Sequence, residues 1–470
     1  MMNEVMSSVF YPKKVAVIGV SEARDNMGKH IVQNLLDHYF QGEVFPVGPK
    51  GGRVFGLDIY PNVLDIPSGI DFAAIITPAQ TVPELIGHCG RKGAKVIYIA
   101  TGGFSEFRKE NIDLETQILD QARKYNVRLI GPNCIGVINS ETGLCLSFSP
   151  LPQLKIGNVS LLSQSGGVAN SYLMHLFAEN IGINKWVSMG NKLDLEETDF
   201  LPYLIEDPWT HVICIHSEGL KKGKRLLELA RSSFKPIILH KVNRFEVTAQ
   251  VADSHTAAVA NDNRVVDALY RQGPIIRAGT IHEAVSYAKA FLLPRLNGNR
   301  LSVISRSGGH SVIATDFCTE YGFEMPPFDF DYLKSVEDLF RAKIVKTSNP
   351  LDLGDLWNFE AYRFVLENAI KQDQFDGMLF IFAYNILQQH DLIFNMATFL
   401  SKLTKRYDKP IAFVLQGWKK RIDRIKDSVS FPIFSEIDEA VKTLSVSLDF
   451  HRKKGTISKP LHLRRVQKIF

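Results

Sequence analysis

The segment Ser254-His255-Thr256-Ala257-Ala258 sets an imidazole between two small hydroxyl side chains, with small residues after it. An imidazole that carries a phosphoryl group needs that room and needs donors close by, so His255 is read as a candidate catalytic nucleophile. A histidine taken at random is more often structural; its neighbours single this one out. Glu218 follows a buried apolar run in His216-Ser217-Glu218-Gly219. A carboxylate there fixes the imidazole tautomer through one ring nitrogen while the other reacts. Upstream, Ser163-Gln164-Ser165-Gly166-Gly167 stands between an apolar run and a helical stretch. Small hydroxyl and glycine residues in that position leave amides and hydroxyls free to hold an anion. A counterpart, Ser305-Arg306-Ser307-Gly308-Gly309, is followed by His310. The plain alternative for either loop is a tight turn.

Near the N-terminus, an apolar run ending in Gly19 opens into a polar turn containing Ser21 and Asn26, then a helix from about Gly28. Backbone amides and the positive end of a helix dipole then face any ligand, which suits phosphate. The dinucleotide fingerprint is absent, because position 21 is serine and Gly28 comes late. The acid expected about 20 residues further on is missing too. Pro49, Lys50 and Arg53 stand at the end of the second strand instead. Cations there suit a phosphorylated ribose, as in CoA or NADP, better than NAD. Two more loops, Thr77-Pro78-Ala79 and Thr101-Gly102-Gly103-Phe104, lie at expected strand C-termini, where open parallel sheets bind ligands. Cys134, in Gly131-Pro132-Asn133-Cys134-Ile135-Gly136, has no base placed beside it by sequence and reads as a buried thiol.

These residues need a scaffold, and the chain has length for about three domains at roughly 150 residues each. Its 470 residues are 45% hydrophobic and 22% charged, with a net charge of +5, an ordinary globular balance that argues for neither nucleic acid nor membrane. Five widely spaced cysteines with no C-x-x-C pair suit a reducing compartment and offer no disulfide framework or zinc site. No signal-peptide core or membrane-length apolar run occurs, so the chain reads as cytoplasmic. Strands are expected at residues 15–20, 43–47, 72–77, 96–100 and 128–130, with helices at 28–40, 82–92 and 111–125. Apolar strands alternating with helices predict a doubly wound parallel sheet.

Residues from Val159 (VSLLSQSGGVANSYLMHLFAENIGI) and from Leu301 (LSVISRSGGHSVIATDFCTEYGF) repeat one another, strand, loop and helix up to a glycine at Gly182 and Gly322. Such self-similarity predicts two domains of one fold. Later strands at 212–216, 236–240, 378–382 and 410–415 complete each copy. The expected domains are 1–140, 141–292 and 300–450, followed by a basic tail, 451–470, without an acid in it.

Across nearly its whole length the sequence resembles the α subunit of ADP-forming acyl-CoA (acetyl-CoA) synthetases, relatives of succinyl-CoA synthetase. The resemblance rests on PKKVAVIG at Pro12, the Gly131-Pro132-Asn133-Cys134 turn, LSQSGGVA at Leu162 and Ser188-Met189-Gly190-Asn191-Lys192. Glu218, the Ser254-His255-Thr256 triplet, SRSGG at Ser305 and Asn349-Pro350-Leu351-Asp352 follow in the same order. It implies an α/β chain: a Rossmann-like CoA-binding domain, then two flavodoxin-like domains. The first of these carries a phosphohistidine at His255; the second has the fold without the histidine. It further implies that Ser163 to Gly167 cradle the phosphohistidine and that Glu218 orients it. CoA would use Gly19, Ser21, Asn26, Lys50, Thr77, Pro78, Gly102 and Gly103. ATP or ADP and Mg²⁺ would sit mainly on a separate ATP-grasp β subunit, in a hetero-oligomer acting on a small carboxylic acid or its CoA thioester.

The family usually carries glycines where this chain has Ala257, Asn261 and Asn243. Glycine permits close backbone approach and positive φ, so these changes bear on the phosphate loop. Two other readings therefore stand beside the ligase: a CoA-binding paralogue without phosphoryl transfer, and an NADP-dependent oxidoreductase. Phosphate labelling of His255 separates the first, and NADPH titration the second.

Overall fold

In the computed structural model the described residues are 2–105, 112–245, 247–248, 263–340, 348–354, 356, 358–384 and 390–457. They fall into two compact units, Met1–Met174 with Gly182–Ile281, and His175–Ile181 with His282–Phe470.

The first unit holds two large sheets and a two-stranded antiparallel pair, Arg53–Val54 with Leu57–Asp58. Strands β1 (Lys14–Ile18), β2 (Glu43–Val47), β3 (Phe72–Ile75), β4 (Val96–Ile99) and β5 (Arg128–Ile130) pair in parallel in the order β2-β1-β3-β4-β5. β3 and β4 are buried along their whole length, as their unbroken apolar sequences demand when helices cover both faces. The helix α1 (Met27–Asp37) buries Ile31, Val32 and Leu35, a stripe at helical spacing. It stops at His38, after which Tyr39 turns left-handed at φ 56°. Helices α2 (Val82–Arg91) and α3 (Ile112–Tyr125) cover the opposite face of the sheet; residue 111, the expected start of α3, is outside the described residues.

The second sheet adds two strands that the sequence pattern does not announce. β6 (Val137–Asn139) lies within the expected first domain, yet it pairs antiparallel with β9 (Ile183–Ser188), and β7 (Leu144–Cys145) pairs with β6. The other members are β8 (Ile156–Ser163), β10 (Val212–Ser217), β11 (Ile237–Lys241) and β12 (Ile275–Arg277), in the order β12-β11-β10-β8-β9-β6-β7. Helix α4 (Gly166–Ala178) follows β8 directly.

The second unit contains β13 (Leu301–Ser305), β14 (Leu351–Asp352), β15 (Gly377–Tyr384), β16 (Ile411–Gly417) and β17 (Ile433–Phe434). They run parallel in the order β14-β13-β15-β16-β17. Helix α5 (Gly308–Glu320) follows β13 just as α4 follows β8, so the repeated sequences are repeated structures. In all three large sheets the first parallel strand lies between the second and the third, the flavodoxin-like order. The last helix, Ile437–Ile457, carries helical structure into the expected basic tail; residues 458–470 are outside the described residues. No helix among the described residues is long and apolar enough to cross a membrane.

Candidate functional site

The loop after β8 divides its residues between two jobs. The Ser163 hydroxyl is buried and donates to the Ser165 carbonyl at 2.8 Å, with His216 Nδ1 3.4 Å from its oxygen. Ser163 therefore shapes the loop from beneath. Ser165, Gly166 and Gly167 stand at the start of α4 and line a cavity of about 590 Å³. Their amides have the helix-start position that favours an anion. A Cβ on Gly166 would come within 2.5 Å of Ile135 Cγ1, whereas one on Gly167 would meet nothing within 4 Å.

Gln164 also lines the cavity, while its backbone N–H and its Oε1 reach the other way. Its backbone N–H donates to the His216 carbonyl at 3.0 Å, and its Oε1 accepts from the amides of Glu218 at 2.9 Å and Gly219 at 3.2 Å. The carbonyls of the same turn are held from below. Lys241 Nζ donates to the Glu218 carbonyl at 2.8 Å, and Lys192 Nζ donates to that of Gly219 at 2.6 Å. Lys192 Nζ also lies 3.0 Å from the Glu197 carboxylate, a pair almost without solvent contact. Side chains from three elements thus fix the backbone on which half-buried Glu218 stands, and Glu218 lines the cavity. Burial first, with Lys192 next, lowers the Lys241 ammonium to about 8. Sequence reasoning assigned Gln164 to the anion and left Lys192 and Lys241 without roles; nothing local in the sequence reveals bonds across more than 20 positions.

Below the loop, His216 packs edge-on to His240, ring centroids 5.3 Å apart. Burial, then His240, Lys192 and Lys241, push His216 down to about 3. An unfolded histidine titrates near 6.5, so between about 6.5 and 3 the unfolded chain takes up a proton that the folded chain refuses. The stabilisation is complete above that window and is lost as pH falls through it. At about 1.4 kcal/mol per pH unit, urea unfolding should show roughly 3 kcal/mol less stability at pH 4.5 than at pH 7 from this residue. His216→Gln should flatten that difference; an unchanged pH dependence would place its origin elsewhere.

The opposite wall comes from the first sheet. Gly131, at φ 102°, opens the turn holding Asn133, Cys134 and Ile135, all three on the cavity. Segment 188–195 clasps this turn. Asn191 N–H donates to the Pro132 carbonyl at 2.9 Å, Leu193 N–H to Gly131 at 3.0 Å, and Ile135 N–H to Ser188 Oγ at 3.1 Å. Gly190 sits at φ 56°, where a Cβ would lie 2.1 Å from the Pro132 carbonyl oxygen. Cys134 is buried against the Ile99 carbonyl at 3.2 Å, and burial pushes its thiol well up, which removes it as a nucleophile at neutral pH.

The expected CoA residues gather at the point where the strand order reverses. Gly19 has φ 105°, and a Cβ there would fall 2.1 Å from the Ile76 carbonyl oxygen; one on Gly28 would fall 2.8 Å from that of Gly19. Gly28, distant in sequence, brings helix and turn together as a fingerprint glycine does. Asn26 caps α1 by accepting from Lys29 N–H at 2.7 Å and Ser21 N–H at 3.2 Å, and it donates to the Gly19 carbonyl at 2.9 Å. Its side chain and the Ser21 amide therefore build the turn. Lys50 is exposed and makes no ion pair among the described residues, whereas Arg53 is paired with Asp58 at 2.9 Å. Thr77 bonds Thr81 at 2.8 Å, Pro78 precedes the short helix Ala79–Thr81, and Thr101 Oγ1 donates to the Thr77 carbonyl at 2.6 Å. Gly102 is exposed, and Gly103, at φ 97°, has open space around it. The glycine turn, the unpaired lysine and this open loop fit a phosphorylated nucleotide. From here a run of bonds leads inward: Asn133 N–H to the Thr101 carbonyl at 2.8 Å, then the 188–195 clasp, then Met189 N–H to the Ser163 carbonyl at 2.7 Å.

His255, with Ser254, Thr256, Ala257 and Asn261, lies outside the described residues. Asn243, one of the changed glycines, is described and has φ 57°. Asparagine tolerates this left-handed conformation better than most residues, so the turn survives the loss of glycine. Asn243 Oδ1 accepts from Thr248 at 3.1 Å, and its Nδ2 is buried with no hydrogen-bond partner among the described residues.

Two family models match the chain: a CoA binding domain over residues 13–140, and a succinyl-CoA ligase like flavodoxin domain over residues 156–291. The α subunit of acetate–CoA ligase [ADP-forming] I from Pyrococcus furiosus is 32% identical over 464 residues, covering 96% of this chain and 98% of that one. Acetate–CoA ligase [ADP-forming] II from Archaeoglobus fulgidus is also 32% identical over 96% of this chain, which spans 67% of that protein. Among solved structures, acetyl-coenzyme A synthetase 1 of Ca. Korarchaeum cryptofilum, in complex with phosphate and ADP, aligns at TM-score 0.87 and 28% identity. That alignment covers 97% of this chain and 99% of that one.

Proposed function

The chain belongs to the ADP-forming acetate–CoA ligase family, as its α-subunit portion, and from that premise we propose the reaction it takes part in. Carboxylic acid, CoA and ATP are interconverted with acyl-CoA, ADP and phosphate. In the synthetic direction a phosphoryl group passes from ATP to His255 and then to the carboxylate, giving an acyl phosphate. The CoA thiolate attacks its carbonyl carbon, the C–O bond to phosphate breaks, and inorganic phosphate leaves. One difficult ligation becomes three smaller steps. The ATP and Mg²⁺ are held by an ATP-grasp partner subunit, and the assembly works in the cytoplasm.

The observation that carries this reading is a single cavity bounded by both halves of the first unit. Ala100, Asn133 and Ile135 of the first half face Ser165, Gly166, Gly167 and Glu218 of the second. A thiol delivered from the Gly19, Lys50, Thr77 and Gly102 crevice meets the acyl phosphate in that cavity. The Gly166 and Gly167 amides receive the phosphoryl oxygens, and Glu218 orients the His255 ring. Incubation with radiolabelled acyl phosphate should give an acid-labile, base-stable label on this chain that disappears in His255→Asn. Label persisting in that variant would overturn the assignment. CoA binding without any label in the unaltered chain would identify a CoA-binding paralogue instead.

A further inference from the structure

We infer that Asn243 is a further catalytic residue of this chain, its side-chain amide donating to an oxygen of the phosphoryl group on His255. The inference rests on the ligase reading above and adds a group that the family's usual pattern lacks. Where the family carries glycine, this chain keeps a left-handed backbone, at φ 57°, and gains a carboxamide.

Three loops meet around the cavity, one from each of three neighbouring strands. Ser165, Gly166 and Gly167 follow β8, Glu218 follows β10, and Val242, Asn243 and Thr248 follow β11. β10 pairs with β8 on one side and with β11 on the other, so the Glu218 turn comes between the other two loops. The end of β11 is tied to that turn. Val242 N–H donates to the Ser217 carbonyl at 3.1 Å, and Lys241 Nζ bridges the carbonyls of Glu218 and Val242. Asn243 is thereby held in register with the residue that orients the His255 ring.

The amide is also held at one end. Thr248 Oγ1, which accepts from Phe245 N–H at 3.1 Å, lies 3.1 Å from Asn243 Oδ1. The other end, Nδ2, is shielded from solvent and has no hydrogen-bond partner among the described residues. A buried N–H without an acceptor is costly, and a phosphoryl oxygen in the cavity supplies one. The anion in turn needs such donors. None of the described residues lining the cavity is lysine or arginine, and Lys192 and Lys241 behind it are committed to carbonyls. Neutral groups therefore carry the load, the amides at the start of α4 from one strand end and Asn243 from another. On transfer, the P–N bond to His255 breaks as the P–O bond to the carboxylate forms, and the remaining phosphoryl oxygens stay charged throughout. A donor placed on one of them in advance lowers that barrier.

The test uses the full chain and follows labelling by radiolabelled acetyl phosphate and isobutyryl phosphate, with urea unfolding alongside. Asn243→Gly suits the left-handed backbone, so its urea midpoint should change little. Its labelling should slow by about tenfold to a hundredfold, the usual worth of a hydrogen bond to a charged group. Asn243→Asp keeps the shape but presents only acceptors, and should slow labelling further at pH 7. The affinity for CoA should be the same in all three proteins. Labelling by Asn243→Gly as fast as by the unaltered chain would overturn the inference and leave the ligase reading intact. Undiminished labelling by Asn243→Asp would show that an oxygen faces the cavity, and would overturn it too. A lowered urea midpoint with an unchanged rate per folded molecule would make Asn243 a turn residue only, again overturning it. No label from either phosphate on the unaltered chain, with CoA still bound, would overturn the ligase reading and the inference with it.

Discussion

Lys192→Met is expected to destabilise the first unit by about 3–5 kcal/mol, because it strips the cation from a buried pair and leaves the Glu197 carboxylate with only the Ser217 hydroxyl, at 3.4 Å. Lys192 is 2% and Glu197 1% exposed, so water cannot take the place of the ammonium. Glu197 stands in the first turn of helix Glu197–Glu206, whose dipole favours a negative charge but does not replace a direct ion pair. The double variant Lys192→Met/Glu197→Leu should recover most of the stability, since apolar residues of similar size often serve as well as a buried pair. It should not recover phosphorylation of His255. The Gly219 carbonyl loses its 2.6 Å donor in both variants, and the turn bearing Glu218 loses one of its supports. Urea denaturation and the rate of acyl-phosphate labelling read the two effects apart. Full labelling in the double variant would reduce Lys192 to a purely stabilising residue.

Gly190→Ala carries the second large effect. The backbone there is left-handed, which costs a non-glycine residue about 1–3 kcal/mol. The new methyl would also press on the Pro132 carbonyl oxygen at 2.1 Å and on that of Asn133 at 2.6 Å. Both are backbone atoms and cannot swing aside, so the turn has to move and the Asn191–Pro132 bond is lost with it. A loss of roughly 3 kcal/mol or more follows, one unmade hydrogen bond adding about 1 kcal/mol. Gly167→Ala is the contrast: it lies in a helical first turn with open space around it and should leave the urea midpoint unchanged or slightly raised. Equal midpoints for the two variants would mean that the clasp contributes nothing to the fold.

Much of this was legible from residue types alone. A strand running into Ser-x-Ser-Gly-Gly and a helix is a local pattern, and the repeat at Leu301 doubles it, so both loops and both helices stand where the sequence predicts them. What the sequence hid depends on contacts between distant segments. Gln164 lines the cavity, but nothing in its loop foretells that its Oε1 accepts from two amides 54 and 55 positions away. The sequence around Asn26 does not show that its side chain caps α1. Phe148 lies in a proline-rich stretch with no periodicity, and only the structure, in which the carbonyls on either side of it accept from Asn34, places it on the cavity. Gly28 shows the reverse: it misses the fingerprint spacing yet makes the same close approach.

The pairing of Val137–Asn139 with Ile183–Ser188 has a bearing on how such a chain is divided and recombined in evolution and in the laboratory. A cut after residue 140 would carry off a strand that belongs to the neighbouring sheet. It would strip β9 of its outer partner and bare a row of unpaired amides and carbonyls, the kind of edge that recruits other chains. The module that can be inherited, fused or transplanted as one piece is thus the whole of the first unit, nucleotide crevice and anion loop together. The natural seam lies at its end, near Ile281, between the last strand of its second sheet and the first strand of the next unit. There an insertion or a gene break leaves every sheet with its own strands.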